Sequence, residues 1–364
     1  MLNENDSNTS GAREEHASLR SRLLLMAGSV IFILVVLEVV LRVAAPHDNI
    51  PQIEYDEHLG WRGRADISCR FRKPQYAIDV SQNSAGFRDR DRSISKESGT
   101  FRVLCTGDSF TWGAGVEQDE IYTAVLESLL EDSGLRAEVI NSGVGGYSTD
   151  QILLYLAGDG FRYEPDLVVY QACDNDLQGI LTKKATGVYS KPSFEFDERG
   201  QLELTGYPVP ALAVPERLFV FMTRSSRLAF FLRHRLQVFR LRRWEQGTGS
   251  APGDAGVGAE RDELHALRLF CALVRELERE CHTRGVRFVV TLDFPLTSDQ
   301  ADLWQQECEG IETVYLFEHF QERQADAGGV VLIPGDGHWT ALAHRWVAEH
   351  LAATILEPST ESPG

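Results

Sequence analysis

The stretch FRVLCTGDSFTWG, residues 101–113, decides the fold, because an apolar strand in it ends in a turn that carries a hydroxyl. Its first five residues are mostly apolar, and Gly107, Asp108 and Ser109 follow at the end of the run. In α/β sheets, ligands bind at the carboxyl ends of strands, so a serine delivered there is well placed for chemistry. A serine or aspartate that caps the next helix is the common alternative, and three residues do not separate the two.

Apolar runs and amphipathic segments alternate along the rest of the chain. Four further strands are predicted at 137–142, 166–173, 286–294 and 312–317, and four helices at 119–132, 149–157, 261–285 and 341–355. The run at 166–173 is nearly continuous in apolar residues, which is typical of a strand buried on both faces of a parallel sheet. The alternation predicts an α/β fold with a central parallel sheet. Thr149 and Thr340 are the expected caps of two of the helices.

The composition excludes one class of partner. The chain has 364 residues, of which 43% are hydrophobic and 25% charged, enough for a core of ordinary globular composition. Its formal net charge of −18 argues against a nucleic-acid-binding protein, which would need a basic face. We therefore expect no nucleic acid among its partners.

Six cysteines are spread along the chain without a Cys-x-x-Cys motif of the kind that binds zinc or exchanges thiols. Cys105 and Cys173 lie in apolar strand-like runs and are expected to be small core residues. The other four could form disulfides in an oxidising compartment, and their spacing does not determine a pairing.

Residues 23–41 form the one strongly apolar run and are predicted to be a transmembrane helix. A helix of that length, at about 1.5 Å per residue, spans about 28 Å, close to the thickness of a bilayer core. Glu38 and Arg42 lie near its end, where they can pair on one helix face close to the headgroups. A cleaved signal peptide is an alternative, although the run exceeds a typical signal core and Pro46 hinders cleavage. A buried core helix is the third interpretation.

The residues before the apolar run indicate an orientation. Arg13, Arg20 and Arg22 favour a cytoplasmic N-terminus, although further arginines after the run weaken the bias. The protein would then be a single-pass membrane protein whose main domain is periplasmic or extracellular. The expected segments are a disordered leader (1–22), the transmembrane anchor (23–41), a turn-rich lead-in (46–100), the main domain (101–356) and a tail (357–364).

The strand–helix alternation is interrupted between about 180 and 260, which predicts an insertion in the main domain. Within it, residues 217–243 carry eight arginines and no acidic residue, with apolar residues at helical spacing between them. One interpretation is a basic amphipathic helix on an anionic membrane or polymer. The other, slightly favoured because amphipathic surface helices are common, is a helix that packs its apolar face on the domain and leaves its arginines solvated.

A serine nucleophile needs a base, and His338 has the best context of the ten histidines. It lies in the run PGDGHWT, 334–340, between an apolar strand-like run and the last helix. Asp336 precedes it by two residues, so both side chains can emerge from one tight loop. A carboxylate there can accept a hydrogen bond from the histidine Nδ1–H and fix its tautomer. A polar residue at a helix entry is the alternative explanation of His338.

Donors for an oxyanion are predicted after the second and third strands. Asn141, Gly143 and Gly146 follow the second strand, and glycines let backbone N–H groups approach a ligand closely. Asn175 follows the third strand and can donate from its side-chain amide. Each feature alone has a common structural explanation, a turn or a helix cap. Together they place a hydroxyl, backbone N–H groups and an amide at one edge of the sheet.

Four blocks, in this order, resemble the SGNH/GDSL hydrolase superfamily. They are Gly107-Asp108-Ser109, Asn141-x-Gly143-x-x-Gly146, Asn175-Asp176 and Asp336-x-His338, across about residues 100–356. The resemblance implies a three-layer, flavodoxin-like SGNH-hydrolase fold around the parallel sheet, preceded here by the transmembrane helix. The sequences around Glu38, Trp61 and Asn83 are similar to those of a membrane-anchored bacterial subgroup of GDSL-type esterases and lipases.

The resemblance also implies residue roles. Ser109 would be the nucleophile, His338 the general base and Asp336 the carboxylate that orients it. The N–H of Ser109, the N–H of Gly146 and the side chain of Asn175 would form the oxyanion hole.

Two positions depart from the common family pattern. One residue rather than two separates Asp336 from His338, and Cys173-Asp174 stands where a glycine usually precedes Asn175. A carboxylate at Asp174 raises the cost of a nearby anion. Reduced activity is therefore one expectation from the sequence.

The activity implied is serine-dependent hydrolysis of a carboxylic ester, with no metal or organic cofactor. Small O-acyl groups on cell-envelope carbohydrate are the expected substrate, on the basis of the anchor and family analogy alone. The alternatives are O-acyl transfer to a sugar hydroxyl, lysophospholipase or thioesterase activity, and a catalytically silent protein that binds envelope polysaccharide. The expected partners are a small-molecule or glycan ester, the membrane that holds the N-terminal helix and, through residues 217–243, a membrane surface.

Overall fold

The computed structural model describes residues 6–44, 52–185, 189–229, 231–232, 235 and 257–357. Its helices are α1 (Asp6–Ala44), α2 (Ser109–Trp112), α3 (Tyr122–Asp132), α4 (Thr149–Gly158), α5 (Asp174–Gly179), α6 (Val214–Ser225), α7 (Val257–His282), α8 (Ser298–Glu307), α9 (Leu316–Ala327) and α10 (Ala341–Leu356). Its strands are β1 (Ile53–Asp56), β2 (Gly60–Gly63), β3 (Ile67–Arg72), β4 (Ala77–Gln82), β5 (Phe101–Gly107), β6 (Ala137–Asn141), β7 (Leu167–Ala172), β8 (Lys184–Ala185), β9 (Tyr189–Ser190), β10 (Ser193–Phe196), β11 (Leu202–Thr205), β12 (Arg287–Leu292) and β13 (Glu312–Tyr315).

A five-stranded sheet in the order β13-β12-β7-β5-β6 forms the centre of the main domain, and its strand pairs are all parallel. All five predicted strands are present in it, so the predicted parallel sheet is confirmed. Cys105 in β5 is in register with Val169 in β7 and with Asn141 in β6. The chain segments that leave these three strands therefore meet at one edge of the sheet.

Helices cover both faces of the sheet, and successive strand residues alternate between the two cores. Leu104 and Val168 pack with α4, α7 and α8, whereas Val103 and Val169 pack with α3, α9 and α10. These side chains are fully buried, and each contributes about 1.5–3 kcal/mol by leaving water. The predicted three-layer α/β architecture is confirmed.

The lead-in forms two antiparallel hairpins, β1–β2 and β3–β4, and braces a loop at the end of the sheet. Trp61 in β2 is fully buried, and its Nε1 donates to the carbonyl of Gly145 over 3.1 Å. Tyr147 Oη donates in turn to the carbonyl of Trp61 over 2.7 Å. These two bonds hold the loop between β6 and α4 from outside the sheet.

A buried ion pair fastens the first part of the insertion to the core. Lys191, which follows β9, pairs with Asp150 in the first turn of α4, and both side chains are fully buried. Ser148 Oγ and the N–H of Gln151 also donate to Asp150 Oδ1, each over 2.9 Å. Burial raises the pKa of Asp150 and lowers that of Lys191. Breaking such a pair is costly because the remaining charge stays out of water.

Two local predictions differ from the structure and a third is confirmed. The cap of α4 is Ser148 rather than Thr149, because Ser148 forms a reciprocal capping box with Gln151. The helix expected at 119–132 is divided into a 3₁₀ turn (Gln118–Glu120) and α3. Thr340 caps α10 as predicted, since its side chain accepts from the N–H of Ala343.

Residues 1–47 and 214–251 form a second compact unit, which contains α1 and α6. The stretch Ser21–Val43 of α1 has a mean hydropathy of 2.8 and is the one helix among the described residues long and apolar enough to cross a membrane. The helix begins at Asp6, within the leader 1–22 whose disorder stays a prediction. The leader lacks proline, and nothing in its backbone chemistry stops the helix from extending. Residues 1–5, 45–51, 186–188, 230, 233–234, 236–256 and 358–364, the last of which includes most of the predicted tail, lie outside the described part.

Candidate active site

The turn after β5 presents Ser109 at the sheet edge. Gly107 has no space for a side chain, since a Cβ there would lie 2.9 Å from the carbonyl oxygen of Gln171. Asp108 is buried and caps α2, its Oδ1 accepting from the N–H of Phe110 over 2.9 Å. Ser109 is the first helical residue. The capping role therefore falls to the aspartate, and the serine hydroxyl is left for another contact.

That contact is with His338. The Nε2 of His338 lies 2.9 Å from Ser109 Oγ, and its Nδ1 lies 2.5 Å from Asp336 Oδ1. The ring of Phe110 packs against the imidazole with 5.1 Å between ring centroids. The structure thus joins the three residues predicted as nucleophile, base and orienting carboxylate in one hydrogen-bonded chain.

A tight turn before α10 makes the spacing of one residue between the carboxylate and the imidazole workable. Ile333 N donates to the carbonyl of His338 over 2.7 Å, which closes the loop. Gly335 and Gly337 have φ of +74° and +92°, a region that side chains strongly disfavour. With glycines at these two positions, Asp336 and His338 can direct their side chains toward each other.

Lys73 was not predicted from the sequence, and it forms an ion pair with Asp336 on the side away from His338. Its Nζ lies 2.8 Å from Asp336 Oδ2, and the neighbouring Gln75 Nε2 donates to the carbonyl of Gly335 over 2.8 Å. Burial acts to raise the pKa of Asp336, but the hydrogen bonds from Lys73 and His338 prevail and hold that pKa below its ordinary value. Lys73 follows β3, 263 residues before its partner, so no local motif points to it.

The loop after β6 is laid against the start of α2. Val144 N donates to the carbonyl of Gly107 over 3.1 Å, and Asn141 Nδ2 donates to the carbonyl of Thr111 over 2.8 Å. A side chain at Gly143 would clash with the backbone of α2. Gly146 is exposed in this loop with φ of +79°. The glycine at position 143 thus reflects close backbone packing beside Ser109.

Asn175 lies in the first turn of α5 and reaches the serine turn through Asp108. Its Nδ2 donates to Asp108 Oδ2 over 3.0 Å, and Ser109 Oγ lies 3.3 Å from the same oxygen. An asparagine amide has two N–H donors, so one can hold Asp108 while the other is offered to a ligand. The structure therefore brings Asn175 to the serine, as predicted from strand order.

Further carboxyl groups lie beneath this edge of the sheet. Asp176 and Asp293 are largely removed from water, and burial, followed by the charge of Asp108, raises the pKa of each well above its ordinary value. Asp176 Oδ2 accepts from the N–H of Cys173 over 2.9 Å. Asp174, by contrast, is exposed at the start of α5. Protonation of the buried pair would limit the negative field near an oxyanion.

The model of the GDSL-like lipase/acylhydrolase family matches residues 105–352, which is most of the chain. The chain belongs to this family. The match begins in β5, four residues before Ser109, and ends in α10, beyond His338. In this GDSL-family protein, the described residues contain no group of three or more His, Cys, Asp and Glu side chains that could hold a metal ion.

Solved structures are similar to this GDSL-family protein at low sequence identity. A two-domain esterase active on acetylated mannans is 12% identical with a TM-score of 0.41, and the match covers 73% of this chain but only about half, 52%, of that one. Axe2, an acetylxylan esterase from Geobacillus stearothermophilus, is 13% identical with a TM-score of 0.39, covering 72% of this chain and 97% of that one. A GDSL-family lipolytic protein from Desulfitobacterium hafniense DCB-2 is 12% identical with a TM-score of 0.36, covering 69% and 98%. No curated protein matches the sequence.

The six cysteines of this GDSL-family protein are all buried. Cys105 and Cys173 lie in the core, as predicted from their apolar surroundings. The other four are equally buried, although their sequence context suggested disulfides as an option. Burial raises the pKa of the Cys281 thiol to about 12, which keeps it protonated and unreactive.

Proposed function

We propose that this protein is a serine esterase that cleaves a carboxylic ester through an acyl–Ser109 intermediate. Family membership supports a carboxylic-ester hydrolase. The observation that carries the proposal is the hydrogen-bonded chain Ser109–His338–Asp336, with His338 Nε2 at 2.9 Å from the hydroxyl. A serine is a weak nucleophile by itself and becomes competent when an adjacent base can take its proton.

In the first half-reaction, Ser109 Oγ attacks the ester carbonyl while His338 Nε2 takes the hydroxyl proton. Asp336 accepts from Nδ1–H and stabilises the imidazolium that forms. When the tetrahedral intermediate collapses, the C–O bond to the alcohol breaks and His338 returns the proton to the leaving oxygen. In the second half-reaction, His338 activates a water that hydrolyses the acyl–serine and restores the hydroxyl.

The oxyanion of each intermediate would be bound by the N–H groups of Ser109 and Gly146 and by the side chain of Asn175. Support for this assignment is that the loop of Gly146 is hydrogen-bonded to Gly107 and that Asn175 is bonded to Asp108. Each such donor typically lowers the barrier by about 2.7–4 kcal/mol.

A small O-acyl group on cell-envelope carbohydrate is the substrate class we propose. Ser109 and His338 are half-buried, and Asn175 and Gly146 are exposed, so the site is open on one side. An open site can accept a short acyl group on a bulky polar carrier, because a short acyl group needs no deep apolar channel. An N-terminal membrane anchor at 23–41 with a cytoplasmic N-terminus would put the lead-in at 46–100 and the hydrolase domain at 101–356 on the envelope side.

A fluorophosphonate probe tests the nucleophile directly, since it labels serines activated by a base. We expect labelling of the folded chain, its loss in Ser109→Ala, and retention in Ser128→Ala, which removes an exposed hydroxyl from α3. Hydrolysis of p-nitrophenyl acetate should fall by about 10³-fold or more in Ser109→Ala. Labelling that persists in Ser109→Ala, or an absence of labelling, would refute the esterase and favour a silent binding protein.

Two further measurements address substrate and topology. Mass spectrometry of envelope glycans should show acyl loss with the unsubstituted chain and none with Ser109→Ala. Acyl transfer to added glycan in place of free acid would instead indicate an acyltransferase. A reporter fused after Gly364 that is active only in the cytoplasm would contradict the proposed orientation.

A further inference from the structure

The end of α1 is joined to the insertion by a carboxylate that caps a helix. Glu38 accepts from the Oγ of Ser226 over 2.9 Å and from the backbone N–H groups of Arg227 and Leu228, each over 3.0 Å. Arg227 to Ala229 are helical, so these are N–H groups of a helix N-terminus. A carboxylate at that place satisfies donors that have no partner within their own helix.

Arg42, one turn later in α1, binds the helix that ends at the same break. Its Nε donates to Glu38 Oε1 over 2.8 Å, and its guanidinium also donates to the carbonyl of Ser225 over 2.8 Å. Ser225 is the last residue of α6. The Glu38–Arg42 pair thus caps the end of α6 and the start of the next helix, and we call this arrangement the clamp.

The clamp fixes where α6 lies along α1. Glu38 and Arg42 fall in the last turns of the apolar stretch Ser21–Val43. If that stretch crosses a bilayer, its last turns lie near the headgroups, where charged side chains cost least. The clamp then holds α6 at the level of the membrane boundary.

α6 presents an apolar face at that level. Val214, Leu218, Phe221 and Met222 are 75%, 54%, 64% and 45% exposed. Their spacing of four, seven and eight residues from Val214 places them on one side of a helix. After the break, Phe231 and Leu232 are 40% and 52% exposed.

We propose that α6 is an interfacial helix whose apolar face inserts into the same bilayer that α1 crosses. The occupant of this face is lipid, because the helix is joined to the end of the apolar span and because residues 217–243 carry eight arginines and no acidic residue. Basic residues beside an apolar helix face bind anionic headgroups while the apolar side chains enter the acyl region. This inference rests on the proposed anchor and is independent of the esterase chemistry.

A fluorescent label on the full chain in vesicles tests the surface. Phe221→Cys, Glu216→Cys and Val35→Cys are each labelled with an environment-sensitive NBD group. The six native cysteines are buried, so the unsubstituted chain serves as the labelling blank. Glu216 lies five residues before Phe221, on the opposite side of α6 at about 100° per residue. Vesicles contain phosphatidylcholine and phosphatidylglycerol, with or without bromine on the acyl chains.

We expect blue-shifted emission at Phe221→Cys and Val35→Cys, with about twofold or greater quenching by brominated lipid, and little change at Glu216→Cys. Quenching at Val35→Cys alone would overturn the interfacial helix while leaving the anchor in place. Quenching at neither position would overturn both. Blue-shifted emission at Phe221→Cys without bromine quenching would mean that protein covers the face, through a second copy or another partner, and would overturn lipid as the occupant.

The clamp has its own test in the same samples. Glu38→Ala removes the acceptor for four donors. We expect it to reduce quenching at Phe221→Cys by about half or more while quenching at Val35→Cys is unchanged. Glu38→Gln, which keeps one acceptor oxygen, should retain part of it. Equal quenching in Glu38→Ala would refute the clamp. Hydrolysis of p-nitrophenyl acetate is measured in the same samples and reports the esterase activity separately. Failure of the esterase proposal can therefore be told apart from failure of the interfacial helix.

Discussion

Lys73 forms an ion pair with Asp336, with 2.8 Å between Nζ and Oδ2, and this pair links the lead-in to the loop that carries His338. The carboxylate is almost fully shielded from water, whereas the lysine is partly exposed. Each oxygen of Asp336 has its own partner, since Oδ1 faces His338 Nδ1 and Oδ2 faces Lys73. The lead-in is therefore part of the site, because it holds the orienting carboxylate in place and in its charged form.

Replacing Lys73 by Met should shift the pH dependence of ester hydrolysis. Lys73 helps to depress the pKa of Asp336, so its loss raises that pKa and protonates Asp336 at higher pH. We expect the acid limb of kcat/KM to move upward, which a pH–rate profile measures. Lys73→Arg should restore most of the original profile. A uniform loss of rate with an unmoved acid limb would show that Lys73 acts through folding alone.

The same pair should make stability depend on pH in a defined direction. A carboxyl whose folded pKa is depressed stabilises the fold fully above its ordinary pKa, here 3.8, and that contribution is lost as the pH falls through the depressed pKa. In Lys73→Met the pKa of Asp336 is depressed less, so the stability it contributes above pH 3.8 should be smaller and the acid-side loss shallower. Urea unfolding at several pH values between about 3 and 7 checks this expectation, and parallel curves for both chains would contradict it.

Replacing Asn175 by Ala should lower kcat much more than it changes KM. The amide is proposed to bind the oxyanion that develops in the transition state, and loss of one such donor typically costs about 10²–10³ in kcat. Steady-state kinetics on p-nitrophenyl acetate measures the two constants. The control is Gln178→Ala, which removes an exposed amide side chain from the same helix, α5. Asn83→Ala would not serve, because Asn83 is buried and hydrogen-bonded in the lead-in. A change confined to KM would contradict the oxyanion role.

Asp174→Asn should raise activity. The side chain is exposed one residue before Asn175, and its negative charge opposes an anion forming nearby. Because solvent screens an exposed charge, we expect a gain in kcat of only about two- to fivefold, shrinking as salt rises. Asp132→Asn, at the exposed end of α3, is the matched change in net charge. Equal effects of the two variants would show that the location of the charge is irrelevant.

The buried ion pair Lys191–Asp150 should contribute more to the free energy of unfolding than an exposed ion pair of the insertion does. Lys191→Met leaves Asp150 charged and unpaired out of water, and such losses cost about 3–5 kcal/mol of unfolding free energy. Lys183→Met removes an exposed pair with Glu195 and should cost less than about 1 kcal/mol. Adding Asp150→Asn to Lys191→Met should recover part of the loss. Similar unfolding curves for both single variants would contradict this account.

The strands and the main site blocks could be predicted from the sequence because their signals are local. The apolar run in β5 and β7 and the helical periodicity of α3, α4, α7 and α10 each lie within one element. The carboxyl ends of parallel strands meet at one sheet edge, so the segments after β5, β6 and β7 lie close together. The proximity of Ser109 and Asn175 could therefore be predicted from the sequence. Glycine and aspartate beside histidine similarly indicated a tight loop at 334–340.

Contacts between distant segments could not be predicted, because no periodicity or spacing records them. Lys73 meets Asp336 across 263 residues, and Glu38 meets Leu228 across 190. The choice of Ser148 over Thr149 as a cap depended on the side chain of Gln151 closing the capping box. The burial of all six cysteines likewise depended on where the fold places each thiol.

The sequence by itself determined the α/β class, the apolar N-terminal helix and the identity of the serine, the histidine and the aspartate, since backbone preference and burial pattern act over a few residues. Only the tertiary structure decided which charged groups support them. Lys73 lies beside Asp336 because folding removes the charge of Asp336 from water, and a charge so removed must find a partner within reach. The clamp of Glu38 and Arg42 depends on two segments that lie far apart in the sequence and that only folding brings into contact.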